Sequence, residues 1–349
     1  MTVVRSSFMV AKAAAKRLSA FSAVWLLIVL SVAAATTMAL ASGRSQREPI
    51  TPLEAVPDLD PAKVALGKQL FNDPILSGKG KLACSSCHDL NAGGTVNLKR
   101  TVGYDGKMHR FNAPSIFNVA NNYRLGWRGN FTSLAAQNDA VLLDPNLMAS
   151  QWGPLVAKLQ ASNVYGAEFQ QIYNRDVERN DVLDALVTFE RSLTTPNSRF
   201  DQYLRGESDV ISSQEKKGYE LFKSYGCVSC HQGSNVGGNL FEKFGIFGDF
   251  GPNPSSDNDG DLGRWTITHD DKDKGVFRVP SLRNVEMTSP YFHDGRVASL
   301  PEAVAIMSRT QLGQVLSQDD VDAIVAFLKT LTGEYNGRLL DAPSPSGPQ

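Results

Sequence analysis

Cys84-Ser-Ser-Cys87-His88 and Cys227-Val-Ser-Cys230-His231 decide the fold, because between them they use all four cysteines of the chain. Each Cys-x-x-Cys pair is followed at once by histidine, the pattern of covalent c-type haem attachment. The two thiols bond the edge of the porphyrin, and the histidine then reaches the iron from one side. Two haem c groups are therefore expected, attached through Cys84, Cys87, Cys227 and Cys230, with His88 and His231 as the proximal iron ligands.

Working outward, Gly67-Lys-Gln-Leu-Phe71 precedes the first site and Gly218-Tyr-Glu-Leu-Phe222 precedes the second. Asp184-Ala-Leu-Val-Thr-Phe-Glu-Arg-Ser-Leu193 matches Asp322-Ala-Ile-Val-Ala-Phe-Leu-Lys-Thr-Leu331 position by position in residue character. Both of these later stretches space their apolar residues as amphipathic helices do. Each half thus reads as helix, haem site, long middle and closing helix. The expected fold is mainly α, with two tandem cytochrome c-like domains over residues 42–207 and 208–335 and a loose tail over 336–349. Asn180 or Asp181 is the candidate cap of the first closing helix and Ser317 that of the second. The polar stretch from Gly206 to Ser213 suits a boundary.

The first 41 of the 349 residues stand apart, with Arg5, Lys12, Lys16 and Arg17 ahead of an apolar run from about Val24 to Ala41. This is the layout of an export signal, with Ala39-Leu40-Ala41 as a cleavage site, or of an uncleaved membrane anchor. Either reading places the bulk of the chain outside the cytoplasm, in the periplasm. Without the leader, the 35 Lys and Arg fall to 31 against 36 Asp and Glu, which leaves no basic footprint for nucleic acid. Gly251 to Gly275 is rich in Asp, Gly and Asn. Asp257-Asn-Asp-Gly-Asp261 lacks the later glutamate of a calcium loop and reads as a solvated turn.

What stands opposite each proximal histidine decides the chemistry: a methionine or histidine there closes the iron for electron transfer, and an open position admits a substrate. Met287 and Met307 both lie between the second haem site and its closing helix. Spacing alone does not choose between them, although the usual position shortly before the closing helix favours Met307. His109, His269 and His293 are the remaining histidines.

From Pro52 to Gly333 the chain resembles the bacterial dihaem cytochrome c peroxidase family, which includes the MauG-type enzymes. The resemblance is densest in Phe277-Arg-Val-Pro-Ser-Leu-Arg-Asn-Val285, Thr288-Ser-Pro-Tyr-Phe-His-Asp-Gly295, Ala303-Val-Ala-Ile-Met307 and Gln311-Leu-Gly313. It implies that Met307 is the sixth ligand of the second, electron-accepting haem. It also implies that Trp127 lies between the haems and Gln137 in the distal pocket of the first. A calcium ion held by Asn112 and the carbonyls of Thr288 and Pro290 is implied as well, as is a homodimer.

Two departures bear on the chemistry. Where the family has a removable distal histidine, this chain has Tyr104, and His109, five residues later, could substitute if the loop is shifted. As phenolate Tyr104 could bind the iron, as phenol it could donate a hydrogen bond, and otherwise its ring packs. Where the family has a proton-moving glutamate, this chain has Leu147, so Asp144 or Asp139 would have to act instead. The leading expectation is reduction of hydrogen peroxide with electrons from a small cytochrome c or a cupredoxin. The alternatives are a MauG-like oxidase of a protein or organic substrate, and an electron carrier with no turnover of its own.

Overall fold

The computed structural model describes residues 48–55, 57–248 and 259–341. The leader, the tail beyond Asp341 and the beginning of the Asp- and Gly-rich stretch lie outside these residues. The first half contains α1 (Pro61–Asn72), α2 (Leu134–Leu143), α3 (Trp152–Gln160), α4 (Asn163–Tyr173) and α5 (Arg179–Ser192). The second half contains α6 (Arg199–Leu204), α7 (Ser213–Ser224), α8 (Trp265–Thr268), α9 (Leu300–Gln311) and α10 (Gln318–Lys329). Among the described residues, strand is confined to two small antiparallel pairs: β1 (Phe241–Lys243) with β2 (Val276–Arg278), and β3 (Glu334–Tyr335) with β4 (Arg338–Leu339). Among the described residues, no helix is long and apolar enough to cross a membrane.

The repeat seen in the sequence is one helix crossing used twice: α1 packs on α5, and α7 on α10. A Cβ at Gly67 would land on the Ala185 carbonyl and the Phe189 side chain, and one at Gly218 on the Ala323 carbonyl and Phe327. Glycine at each crossing lets the backbones touch. Leu66, Leu70, Phe71, Leu186 and Phe189 fill the first core, while Phe200, Tyr219 and Phe327 pack edge to face or tilted at 4.7 to 5.1 Å in the second. Burying each such ring is worth roughly 1.5–3 kcal/mol.

A second repeat holds the halves in register. Pro114-Ser-Ile-Phe-Asn118-Val119 corresponds to Pro280-Ser-Leu-Arg-Asn284-Val285, and both asparagines have positive φ, 59° and 58°. Both amides converge on the buried Thr195: Asn118 Nδ2 donates to its Oγ1 at 2.7 Å and Asn284 Nδ2 at 2.9 Å. Nearby, Arg283 and Asp201 form an ion pair at 2.8 Å with both side chains wholly buried.

Two details differ from the sequence expectation, and one agrees with it. The helix α5 begins at Arg179, ahead of either candidate cap, and Asp181 in its first turn is occupied by Arg175 at 2.5 Å. Ser317 does cap α10, accepting from Asp320 N. The division between the cores also falls elsewhere. Ile50 and Phe200, from the stretch expected in the first domain, pack in the second core, while Tyr335 and Leu340 pack against the first.

Candidate functional site

Each Cys-x-x-Cys-His motif opens on a 3-10 turn, Cys84–Ser86 in one half and Cys227–Ser229 in the other. His88 N bonds Cys84 O, and His231 N bonds Cys227 O, both at 3.0 Å, so each turn presents two thiols and an imidazole to one cavity. All four thiols are unpaired. Burial pushes Cys84 up to about 12 and Cys227 up to about 11, so both stay protonated thiols in the cavity walls.

His88 Nδ1 lies 3.2 Å from the Gly94 carbonyl and His231 Nδ1 lies 3.4 Å from the Val236 carbonyl. A carbonyl only accepts, so Nδ1 carries the hydrogen and Nε2 keeps its lone pair for a metal. Burial lowers the proton affinity of both rings, bringing His231 down to about 4, and keeps them neutral as iron ligation requires. Half-buried thiol pairs, neutral oriented imidazoles and apolar walls fit a covalently attached haem in each cavity.

The second cavity is walled by Phe222, Leu300, Leu328 and Met307, the last carried on α9. Met287 is instead buried against Gly93, where a Cβ would meet its own. The geometry therefore separates the two methionines that spacing left open, and Met307 is the one on the cavity wall.

The first cavity is lined by a more polar set, including His109, Arg128, Gln137, Asn138, Asp144 and Glu190. Tyr104, expected over this site, is not on its wall. The Val102↔Met108 bridge turns it outward, where its hydroxyl accepts a hydrogen bond from Lys79 N and Lys81 lies 5.7 Å over its ring. From this hairpin it is His109 that faces the cavity, its Nδ1 3.2 Å from the Phe111 carbonyl and its ring kept neutral by burial.

Leu147 and Asp144 both reach the first cavity. Asp139 does not, because its Oδ1 accepts from Trp152 Nε1 at 2.7 Å and pairs with Arg179 at 2.8 Å. Trp127 lines both cavities, and its Nε1 donates to Asn112 O at 2.8 Å. Asn112 is buried, with its amide end 2.6 Å from the Pro290 carbonyl; Thr288 lies in the same wall. An amide oxygen exchanged for the amide nitrogen would set two neutral oxygens together, the kind of donor that suits calcium.

Two side chains escaped the sequence reading. Asp261, expected in a solvated turn, is nearly buried, with its Oδ1 2.6 Å from His293 Nε2 and 3.3 Å from Arg296 Nη2. Asp294, which completes this cluster, is bonded by Arg296 Nε. The other is Glu190, buried in the wall of the first cavity. Its signal was available in the helical spacing, which sets it among Val182, Leu186 and Phe189 on the apolar face.

A family model described as di-haem cytochrome c peroxidase matches residues 61–209. Cytochrome c peroxidase Ccp of Escherichia coli (strain K12) is 40% identical over 297 residues, 85% of this chain; the chain spans only 63% of that relative. Cytochrome c551 peroxidase of Nitrosomonas europaea is 38% identical over 320 residues, covering 91% of this chain and 94% of that protein. Among solved structures, a MauG-like protein associated with microbial copper homeostasis superposes with a TM-score of 0.70 at 27% identity, over 83% of this chain and 95% of its own.

Proposed function

This chain belongs to the di-haem cytochrome c peroxidase family, and on that premise we propose that it reduces hydrogen peroxide to water in the periplasm. The electrons come from a small cytochrome c or copper protein. The observation that carries this reading is the contrast between the cavities. The second offers Met307 in an apolar wall, and the first offers His109, Gln137, Arg128 and Asp144.

When bound, the two haem c groups supply one-electron chemistry and, at the first, an iron that meets peroxide. His88 and His231 would hold the irons through the ring nitrogens left free by their carbonyl contacts. Met307 closes the second cavity and favours a high potential there. Trp127, common to both walls, conducts between them.

Peroxide takes two electrons and two protons to give two waters. Leu147 cannot move a proton, so that task falls to Asp144. Gln137 orients the substrate by hydrogen bonding, and His109 faces the same cavity from the neighbouring hairpin. Asn112 with the carbonyls of Thr288 and Pro290 holds calcium across the seam. The leader exports the chain, and a homodimer is the form that the family resemblance suggests. Tyr104 outside the first cavity speaks against a tyrosine-ligated oxidase.

The test is stopped-flow mixing of the purified dihaem protein, oxidised and half-reduced, with peroxide and a reduced small cytochrome c. Peroxide-dependent donor oxidation that disappears in His88→Gly is expected. Absence of donor oxidation in both redox states would overturn the reading.

A further inference from the structure

The repeat that matches Asp184–Leu193 with Asp322–Leu331 sets Glu190 against Leu328. The two helices cross their partners through equivalent glycines, and both residues line the cavity of their own half, exposed by only 7% and 3%. One register thus places a carboxyl in the wall of the first cavity and a leucine in that of the second. The leucine shows that such a wall can be built without a charge. Burying a carboxyl there is costly, so its presence calls for a use.

Among the described residues, no cation is bonded to Glu190. Its Oε2 accepts from Asn138 Nδ2 on α2 at 3.1 Å. Of the neighbours of Asn138, Gln137 is neutral, and Asp139 is engaged by Trp152 and Arg179. From α1 come Leu66 and Phe71, with Lys63 bound to Asp184 nearly two turns away along α5. Arg191, next in sequence, is exposed, and the 3-10 turn Val119–Asn121 carries no charge. Cys84 is the titratable group that feels Glu190, and haem attachment consumes its thiol. His109, Arg128 and Asp144 stand on the same cavity wall. Burial raises Glu190 to about 8, the Asn138 amide pulling the other way.

We propose that Glu190 is a redox-linked proton site of the first haem: its carboxylate binds one proton from solvent when the iron in that cavity accepts one electron from the donor protein, and releases it when the iron is oxidised again. The electron removes one positive charge from the cavity, and in a poorly screened interior this raises the proton affinity of a nearby carboxylate. Charge in the cavity is then conserved over each one-electron step. The second cavity, with Leu328, has no such group in this position. The proposal requires a haem on Cys84 and Cys87 but no peroxide turnover, so it stands or falls separately from the peroxidase reading.

Spectroelectrochemical titration of the first haem in the purified dihaem protein, repeated across pH, tests this. The wild-type potential should fall by about 59 mV per pH unit, one proton per electron, between the proton affinities of Glu190 in the oxidised and reduced states. Glu190→Gln and Glu190→Leu should be flat over that window. Asn138→Ala, lacking the amide that favours the anion, should move the window to higher pH. The reduced-minus-oxidised infrared spectrum should show a protonated carboxyl band that is absent from Glu190→Gln. An unchanged slope in both Glu190 variants, or a carboxyl band that survives the substitution, would overturn the assignment.

Discussion

Trp127 donates its indole hydrogen to the backbone carbonyl of Asn112 over 2.8 Å, and Asn112 N in turn donates to the His293 carbonyl at 2.8 Å. The ring shared by both cavities is thereby fixed to loops of both halves. Trp127→Phe keeps an aromatic ring but loses the bond, at about 1 kcal/mol of stability. Electron transfer between the haems should slow, with KM for peroxide unchanged. Flash reduction of the second haem, followed at the first, measures it.

Met307 lies in the wall of the second cavity, on α9. Met307→His should lower the potential of the second haem, since axial ligand choice acts within a span of about 0.8 V. Potentiometric titration checks this, and an unaltered potential would remove Met307 as a ligand.

Asp144 and Leu147 share the first cavity. Asp144→Asn should depress kcat for peroxide by about 100-fold or more, the usual loss for a general acid or base. Adding Leu147→Glu to that variant should restore part of the rate. Steady-state kinetics with a reduced small cytochrome c reads both. A fully active Asp144→Asn would assign proton transfer to another residue.

Arg283 and Asp201 meet at 2.8 Å with no solvent on either side chain. Burial lowers the proton affinity of Arg283, and the adjacent carboxylate opposes that effect. Arg283→Met leaves Asp201 as an unpaired buried charge and should cost about 3–5 kcal/mol. Pairing it with Asp201→Asn should recover part of the loss. Chemical denaturation of the haem-loaded protein measures both.

Much of this architecture was legible in the sequence because covalent attachment and helix crossing are local requirements. Two motifs consume every cysteine, and a glycine one helix earlier marks each crossing. The orientation of Tyr104 and His109 was not legible. It depends on a hairpin whose bridge, Val102 to Met108, decides which side chain turns inward, and no spacing rule records that choice. Asp261 was misread for a related reason: its partner, His293, is 32 positions away, so a polar turn in sequence became a buried pair in space. Glu190 is equally silent in sequence, because a helical pattern tolerates one polar residue on its apolar face without revealing whether a cavity lies behind it.

The ends of the described chain exchange places. Ile50 is wholly buried in the second core, whereas Tyr335 sets its ring 5.2 Å from Phe117 of the first. During synthesis, the opening segment must wait for a core not yet translated, and the first core remains short of an aromatic neighbour until the last residues emerge. Neither half is a finished unit until both ends of the described chain are in place. A break between the halves would therefore leave both cores short of residues rather than release two finished units.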